Sequence, residues 1–316
     1  MFRDKIKVLD CTIRDGGLIN NHNFSIDFVK KIYHALSAAG IDYVELGYKN
    51  SRRLFPGNEY GLWKFCEDEI IEQVIGLAGK GSKISVMVDV GRVDLDDVKP
   101  KDKSPVDMIR VACYVKDIDK AIFMVNHFAQ KGYETTFNIM AISRDQGAAL
   151  DEALDQIEAE SSADAVYIVD SFGALYQEST EDLVKKFKAR LKTKEIGFHG
   201  HNNQQLAFAN TIEAIIHDAN FMDATIYGIG RAAGNCPLEL LVGFLKNPKF
   251  DIRPVLDIIS EEFIALKNTI EWGYIIPYAI AGMFNEHPKA AMAFRKTPEK
   301  DNYRKFYEAV RDTAAD

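Results

Sequence analysis

The chain has 316 residues, 47% hydrophobic and 27% charged, with a formal net charge of -8 at pH 7. That size and apolar content provide for a large buried core, and the acidic balance argues against a general binder of nucleic acid or anionic membrane, both of which select basic surfaces. Four cysteines, Cys11, Cys66, Cys113 and Cys236, form no Cys-x-x-Cys pair, which fits neither a zinc knuckle nor a disulfide framework and points to a reducing, cytoplasmic compartment. The opening Met1-Phe2-Arg3-Asp4-Lys5 runs straight into a β-prone stretch, with no signal-peptide core and no apolar segment long enough to span a bilayer.

Residues 6–11 form a short β-prone run that ends at Thr12-Ile13-Arg14-Asp15-Gly16-Gly17, where two flexible glycines set Arg14 and Asp15 at a backbone turn. Ser25 then caps a helix whose Val29, Ile32, Tyr33 and Leu36 share one face, stopped by Gly40. A second strand, 41–46, runs into Glu45-Leu46-Gly47-Tyr48. A helix over 67–78 and a third strand over 84–88 follow, then a fourth strand over 108–112 and a helix with Ile118, Ala121, Ile122, Val125 and Phe128 on one face. The fifth strand is 135–140, its helix carrying Leu150, Ala153, Leu154 and Ile157. The sixth, 165–169, ends in Asp170-Ser171-Phe172-Gly173, and Ser179 with Asp182 opens its helix in the manner of a capping box. The seventh ends in Gly197-Phe198-His199-Gly200-His201-Asn202-Asn203, with a helix over 205–217. The eighth is 221–227, with a helix over 238–245.

Eight strands alternating with helices are what a closed (β/α)8 TIM barrel requires. A doubly wound dinucleotide fold is the alternative, but in Gly228-Ile229-Gly230-Arg231-Ala232-Ala233-Gly234 the third glycine falls one position late for that fingerprint. The run reads either as a loop that lets backbone approach a site or as a plain tight turn, and no nicotinamide cofactor is expected. Residues 1–250 are assigned to the barrel and 251–316 to a C-terminal helical extension packed on or over it. In the extension, helix is expected over 252–270, and Trp272-Gly273-Tyr274-Ile275-Ile276-Pro277-Tyr278 is an aromatic-rich break. The extension has two readings, ordinary packing or a lid bringing Tyr274, Tyr278 or His287 over a ligand.

In a barrel the C-terminal strand ends form the active face. Arg14, Asp15, Glu45, Asp170, His199, His201 and Asn235 all fall there. The histidines sit one residue apart at a strand end, so both rings face the same way. With a carboxylate they make a two-His-one-carboxylate set for a divalent ion, although two strand-end histidines can also be simply solvated or hydrogen-bonded. Oxygen donors beside two imidazoles favour Mg or Mn over a thiolate-preferring metal.

Taken together, Thr12-Ile13-Arg14-Asp15-Gly16, Glu45, His199-Gly200-His201-Asn202 and Gly234-Asn235-Cys236-Pro237-Leu238-Glu239 resemble the DRE-TIM metallolyase superfamily, which includes HMG-CoA lyase. The likeness is closest to the catalytic domain of 4-hydroxy-2-oxovalerate aldolases. The resemblance implies Asp15, His199 and His201 as metal ligands, with Asn235 a further ligand or a group supporting one. It implies that Arg14 neutralises an enolate oxygen and that Glu45 orients Arg14 or a metal-bound water.

The implied reaction is divalent-metal-dependent cleavage or formation of a carbon-carbon bond in a 4-hydroxy-2-oxo acid through a metal-bound pyruvate enolate. Two departures matter. The aldolases carry a base histidine shortly after Arg-Asp-Gly, where this chain has Gly17 and Leu18, so the base stays open among His22, Tyr48 and Tyr274. The glutamine that condensing members carry after Arg-Asp-Gly is missing, which weakens the alternative of Claisen condensation from an acyl-CoA. A barrel that binds metal or ligand without turnover is the other alternative. A homo-oligomer is open, and an aldehyde dehydrogenase partner is implied by the resemblance alone.

Overall fold

The eight β-prone runs pair in chain order, all parallel, and the last returns to the first to close a barrel. The computed structural model describes residues 4–314. The strands are β1 (Lys7–Asp10), β2 (Tyr43–Tyr48), β3 (Lys83–Asp89), β4 (Met108–Cys113), β5 (Glu134–Ile139), β6 (Ala165–Asp170), β7 (Glu195–Gly200) and β8 (Phe221–Ala224). Around them run α1 (Thr12–Gly16), α2 (Ile26–Ala38), α3 (Asp68–Ile75), α4 (Ile118–Gln130), α5 (Ala148–Glu160), α6 (Gln177–Arg190), α7 (Ala207–Ile216) and α8 (Leu238–Leu245). No helix among the described residues is long and apolar enough to cross a membrane.

Strand alternation separates two packed layers. Outward residues such as Val44, Ile84, Val111, Val166 and Ile168 join Val29, Ile32, Val125, Phe128, Leu154 and Ile157 of the helices in one large core. Inward residues including Leu9, Tyr43, Met108, Tyr167 and Phe221 fill the barrel itself. In β2, strict alternation would send Glu45 and Tyr48 to opposite faces. The β2–β3 register shifts between them, from Glu45 against Ser85 to Tyr48 against Met87. This irregularity turns both side chains inward, the re-aiming that a bulge near a site performs.

Several local expectations are corrected. Arg14 and Asp15 lie on the helical turn α1, and Gly17 there has an ordinary φ of -59°. What Gly17 supplies is space, because a Cβ would stand 2.4 Å from His22 Nδ1. β8 ends at Ala224, and a 3-10 turn (Ile226–Gly228) follows. α6 starts at Gln177 with no side-chain cap, so Ser179 lies within its first turn and the capping box does not form. The helix expected over 252–270 forms continuously over 253–266, as α9 (Arg253–Ile258), a π segment (Ile259–Phe263) and α10 (Ile264–Leu266). Beyond it come α11 (Ile276–Met283), α12 (Lys289–Phe294) and α13 (Tyr303–Ala314), whose Tyr278, Ile280, Ala291, Phe306 and Val310 pack with Ala232 and Ala233 of the loop after β8.

α2 has the caps its sequence implies. Ser25 Oγ accepts from Phe28 N at 3.2 Å. At the other end Gly40 N donates to Ser37 O and Ile41 N to Leu36 O, each at 3.1 Å, with Gly40 at φ +76°. This is the Schellman closure, with Ile41 and Leu36 both buried. A Cβ at Gly40 would also meet the Lys249 carbonyl oxygen at 2.3 Å. Gly40→Ala should therefore cost about 2 to 3 kcal/mol, from left-handed strain plus a backbone clash. Urea denaturation checks this, and a loss under about 0.5 kcal/mol would contradict it.

Candidate active site

The short helix α1 places the first two functional groups. Asp10 ends β1 and accepts from Thr12 N at 3.0 Å and Thr12 Oγ1 at 2.7 Å, while Thr12 Oγ1 accepts from Ile226 N at 2.8 Å. These bonds fix the first turn of α1 to the end of β1 and to the exit of β8. Arg14 and Asp15 consequently project over the C-terminal mouth.

From there a line of buried ionic contacts runs through the barrel. Arg14 Nη1 binds Asp15 Oδ1 at 2.9 Å and its Nε binds Glu45 Oε2 at 2.7 Å. Arg110 lies 3.1 Å from the same Glu45 oxygen through Nη1 and 2.6 Å from Asp223 Oδ2 through Nη2. Its guanidinium also lies 4.3 Å from the centre of the Tyr167 ring, a cation–π contact. Asp223 Oδ2 stands 2.9 Å from His199 Nδ1. Isolated charges in such a place would be expensive, and alternating sign along the line is what compensates them.

The line also sets protonation. Burial alone would raise Asp223, but Arg110 and His199 hold it below the usual carboxylate range. An ionised carboxylate can only accept, so it is a proton on His199 Nδ1 that faces Asp223, and Nε2 is the ring atom left toward the cavity. Burial would likewise raise Asp15, and the positive charge of its neighbours, His201 when protonated and Arg14 always, keeps it well below the ordinary value. His201 is pushed well below the ordinary histidine value by burial, with Asp15 opposing and Arg231 reinforcing.

Asp15, His199 and His201 offer ligand atoms that all lie within 4.8 Å of one another, and all three residues are buried. Asn235 Nδ2 donates to Asp15 Oδ2 at 2.5 Å and to Ile229 O at 3.2 Å, while its Oδ1 is buried without a partner. A Cβ at Gly230 would lie 2.1 Å from Asn235 Nδ2 and 2.5 Å from Asp15 Oδ2. The loop after β8 thus brings its backbone against the site, the first of the two readings its sequence allowed.

A cavity of about 70 Å3 opens here. Arg14, Asp15, Asn138, Ser171, His199, His201 and Arg231 form its polar side, and Leu18, Tyr48, Met87, Ala112, Met140 and Val169 the other. A larger cleft of about 770 Å3 includes Lys49, Arg52, Arg53 and Asp94 in its lining. Each of its three cations is already paired, with Asp68, Glu67 and Asp94 respectively.

Of the residues singled out from sequence, Arg14, Asp15, Tyr48, His199 and His201 line the cavity, and Glu45 and Asn235 hold residues that do. Two do not reach it. His22 is 2% exposed and packs edge-on against the Tyr48 ring at 5.3 Å, pushed down to about 3 by burial, with Lys64 and Arg14 adding to the effect. Tyr274 is 63% exposed. Leu18, which follows Arg-Asp-Gly-Gly, is part of the cavity wall. Asp170 accepts from Ala174 N and Leu175 N and so shapes the loop after β6. Among the extension residues considered as a lid, Tyr278 binds Glu271 at 3.0 Å, and His287 Nε2 stands 3.2 Å from Arg231 Nη1.

Arg110, Asp223 and Arg231 were not singled out as functional residues from sequence. For the first two a signal existed, a charged residue at an inward position of an otherwise apolar strand.

An eight-stranded barrel with a buried carboxylate and a His-x-His pair at its C-terminal mouth has the layout of a TIM-barrel enzyme with a metal site. The HMGL-like family matches residues 5–261, and the chain belongs to that family. It is 30% identical over 268 residues to a 4-hydroxy-2-oxovalerate aldolase of Geobacillus thermodenitrificans, covering 82% of this chain and 76% of that one. It is 32% identical over 256 residues to 4-hydroxy-2-oxovalerate aldolase 1 of Nocardia farcinica, covering 81% and 73%. Among solved structures, the N-terminal domain of a Bacteroides vulgatus protein described as an aldolase superposes with a TM-score of 0.79 at 31% identity, covering 95% of this chain and all of that one.

Because Arg110 compensates two buried carboxylates, Arg110→Met should cost about 3 to 5 kcal/mol by leaving Glu45 and Asp223 facing each other's charge. Chemical denaturation at pH 7 measures it, and a loss below about 1 kcal/mol would show that the line is not under electrostatic tension.

Proposed function

We propose that the protein is a divalent-metal-dependent aldolase that cleaves or forms a carbon-carbon bond in a 4-hydroxy-2-oxo acid. The observation that carries this reading is the Asp15, His199 and His201 set, buried at the mouth with the protonation that ligation needs: a carboxylate held ionised, an imidazole held neutral and another whose Nδ1 proton is fixed by Asp223. These three residues would hold the ion, with Asn235 fixing Asp15 through its amide nitrogen. Mn or Mg suits the donors, and it would supply Lewis-acid polarisation of the substrate's 2-oxo group.

The chain's own residues do the rest. Arg14 is a permanent cation on the cavity wall, locked at both edges by Glu45 and Asp15. It stabilises negative charge that develops on the substrate oxygen, and being fixed in advance it needs no reorganisation during reaction. Glu45 is its positioning residue. Tyr48 is the one of the three proton-transfer candidates that lines the cavity. Burial pushes its hydroxyl above the ordinary tyrosine value, against the pull of Arg14, so it stays protonated and can donate to the alkoxide formed from the aldehyde in the bond-forming direction. The proton Tyr48 gives up is replaced by the one the pyruvate methyl group loses on forming the enolate, and cleavage runs the relay in reverse, the 4-hydroxyl proton passing through the Tyr48 oxygen to the enolate carbon. Leu18, Met87 and Met140 form an apolar wall that keeps bulk water from the carbanion. Residues 251–316 we read as an extension that supports this mouth.

The test is pyruvate release from 4-hydroxy-2-oxo acids of varied chain length, assayed with Mn2+. Release is expected to vanish with EDTA and in His201→Ala, and Tyr48→Phe should lower kcat by about 10^2- to 10^4-fold. Activity that survives EDTA unchanged would rule the mechanism out, and Mn2+ binding without turnover on any such acid would favour a barrel that binds without catalysing.

A further inference from the structure

Three guanidinium groups lie at or beneath the mouth, Arg14 and Arg110 buried and Arg231 half-buried, and they are not equivalent. Arg14 hydrogen-bonds Asp15 and Glu45, and Arg110 hydrogen-bonds Asp223 and lies 3.1 Å from Glu45, its Nε and Nη1 without hydrogen-bond partners. Arg231 has no carboxylate within ion-pair distance of its guanidinium among the described residues. Its Nη2 donates to Ser171 O at 2.7 Å and approaches His201 Nε2 at 3.4 Å, and its Nη1 lies 3.2 Å from His287 Nε2. Its Nε is buried and unpartnered. A carbonyl and the His201 imidazole are thus the acceptors around a half-buried cation that borders the cavity directly. Burial accordingly pulls Arg231 below its ordinary value, against the opposing pull of Asp15, though a guanidinium keeps its proton at any working pH.

We propose that the Arg231 guanidinium is the seat for the carboxylate of the acid substrate, its half-buried charge, matched by no carboxylate of the described residues, being completed by the ligand. A planar fork of N–H donors matches a carboxylate in shape and charge. A cavity of about 70 Å3 has room for the small head of a 2-oxo acid. Arg14 is already committed to two carboxylates and cannot provide an equal free charge. His287 gets a role as well. Lying between α11 and α12, with Nδ1 accepting from Lys289 N at 3.0 Å, its ring stands 3.2 Å from Nη1 and limits where the guanidinium can swing, so the extension bounds a binding residue contributed by the barrel. Naming the ligand as a 2-oxo acid rests on the aldolase reading, whereas anion capture by Arg231 does not.

The experiment is calorimetric titration of Mn2+-saturated protein with oxalate, which carries the acid head and no aldehyde half. Saturation is set for each variant by a separate Mn2+ titration read by electron paramagnetic resonance. Arg231→Met should weaken oxalate about 30- to 100-fold, as expected for loss of a charged hydrogen-bond pair. Arg231→Lys should recover part of that affinity. Oxalate affinity in Arg231→Met within about threefold of the parent would overturn the proposal. So would a loss confined to substrates with a second carboxylate on the aldehyde half. If Arg231 governs oxalate binding but no 4-hydroxy-2-oxo acid is cleaved, the aldolase reading fails and the anion seat stands. If cleavage is intact and Arg231→Met keeps its oxalate affinity, the outcome is reversed.

Discussion

The buried alternation of charge from Asp15 through Arg14, Glu45 and Arg110 to Asp223 is the constraint on which the rest of the site depends. Its members come from α1, β2, β4 and β8, so the line exists only once the barrel has closed. Each cation lies within ion-pair distance of two carboxylates, and removing any one member leaves its neighbours buried with part of their compensation lost. The arrangement makes the geometry of the mouth a property of the whole fold. Loop conformation alone does not set it.

The same line connects folding to chemistry. Its Asp223 end fixes the tautomer of His199, and its Arg14 end helps keep Asp15 ionised. Two donors at opposite ends of one network are therefore brought to the state a cation requires before any cation arrives. Secondary features serve the same end. The register shift in β2 turns Tyr48 inward beside Glu45, and Gly230 lets the loop after β8 close on Asp15 and Asn235. Arg231 completes the polar side from that loop, tied to the segment after β6 and to the C-terminal extension.

Much of this was legible in the sequence because it follows from periodicity and position. The eight strands, the face on which they end, and the gathering of Arg14, Asp15, His199, His201 and Asn235 need only alternation and barrel topology. What could not be read depended on contacts between distant segments. Nothing local distinguishes His22, packed behind a tyrosine ring, from a histidine that faces a ligand. Tyr48 and Glu45 share a face only because of a register shift that no strand-period argument anticipates. Arg231 sits in a glycine-rich stretch whose local signal is backbone approach, and what its side chain does depends on Ser171 and His287, which come from the exit of β6 and from the extension. Arg110 and Asp223 were the readable omissions, charged residues inside apolar strands whose cost demanded a partner.

The central claim is that one divalent cation sits among Asp15, His199 and His201. Crystals grown with Mn2+ and oxalate, measured on the manganese absorption edge, test it most directly. The account predicts a single anomalous peak within bonding distance of one ligand atom from each of those residues, with oxalate completing the coordination. A well-ordered site showing no anomalous peak there, or a peak held by other residues, would contradict it.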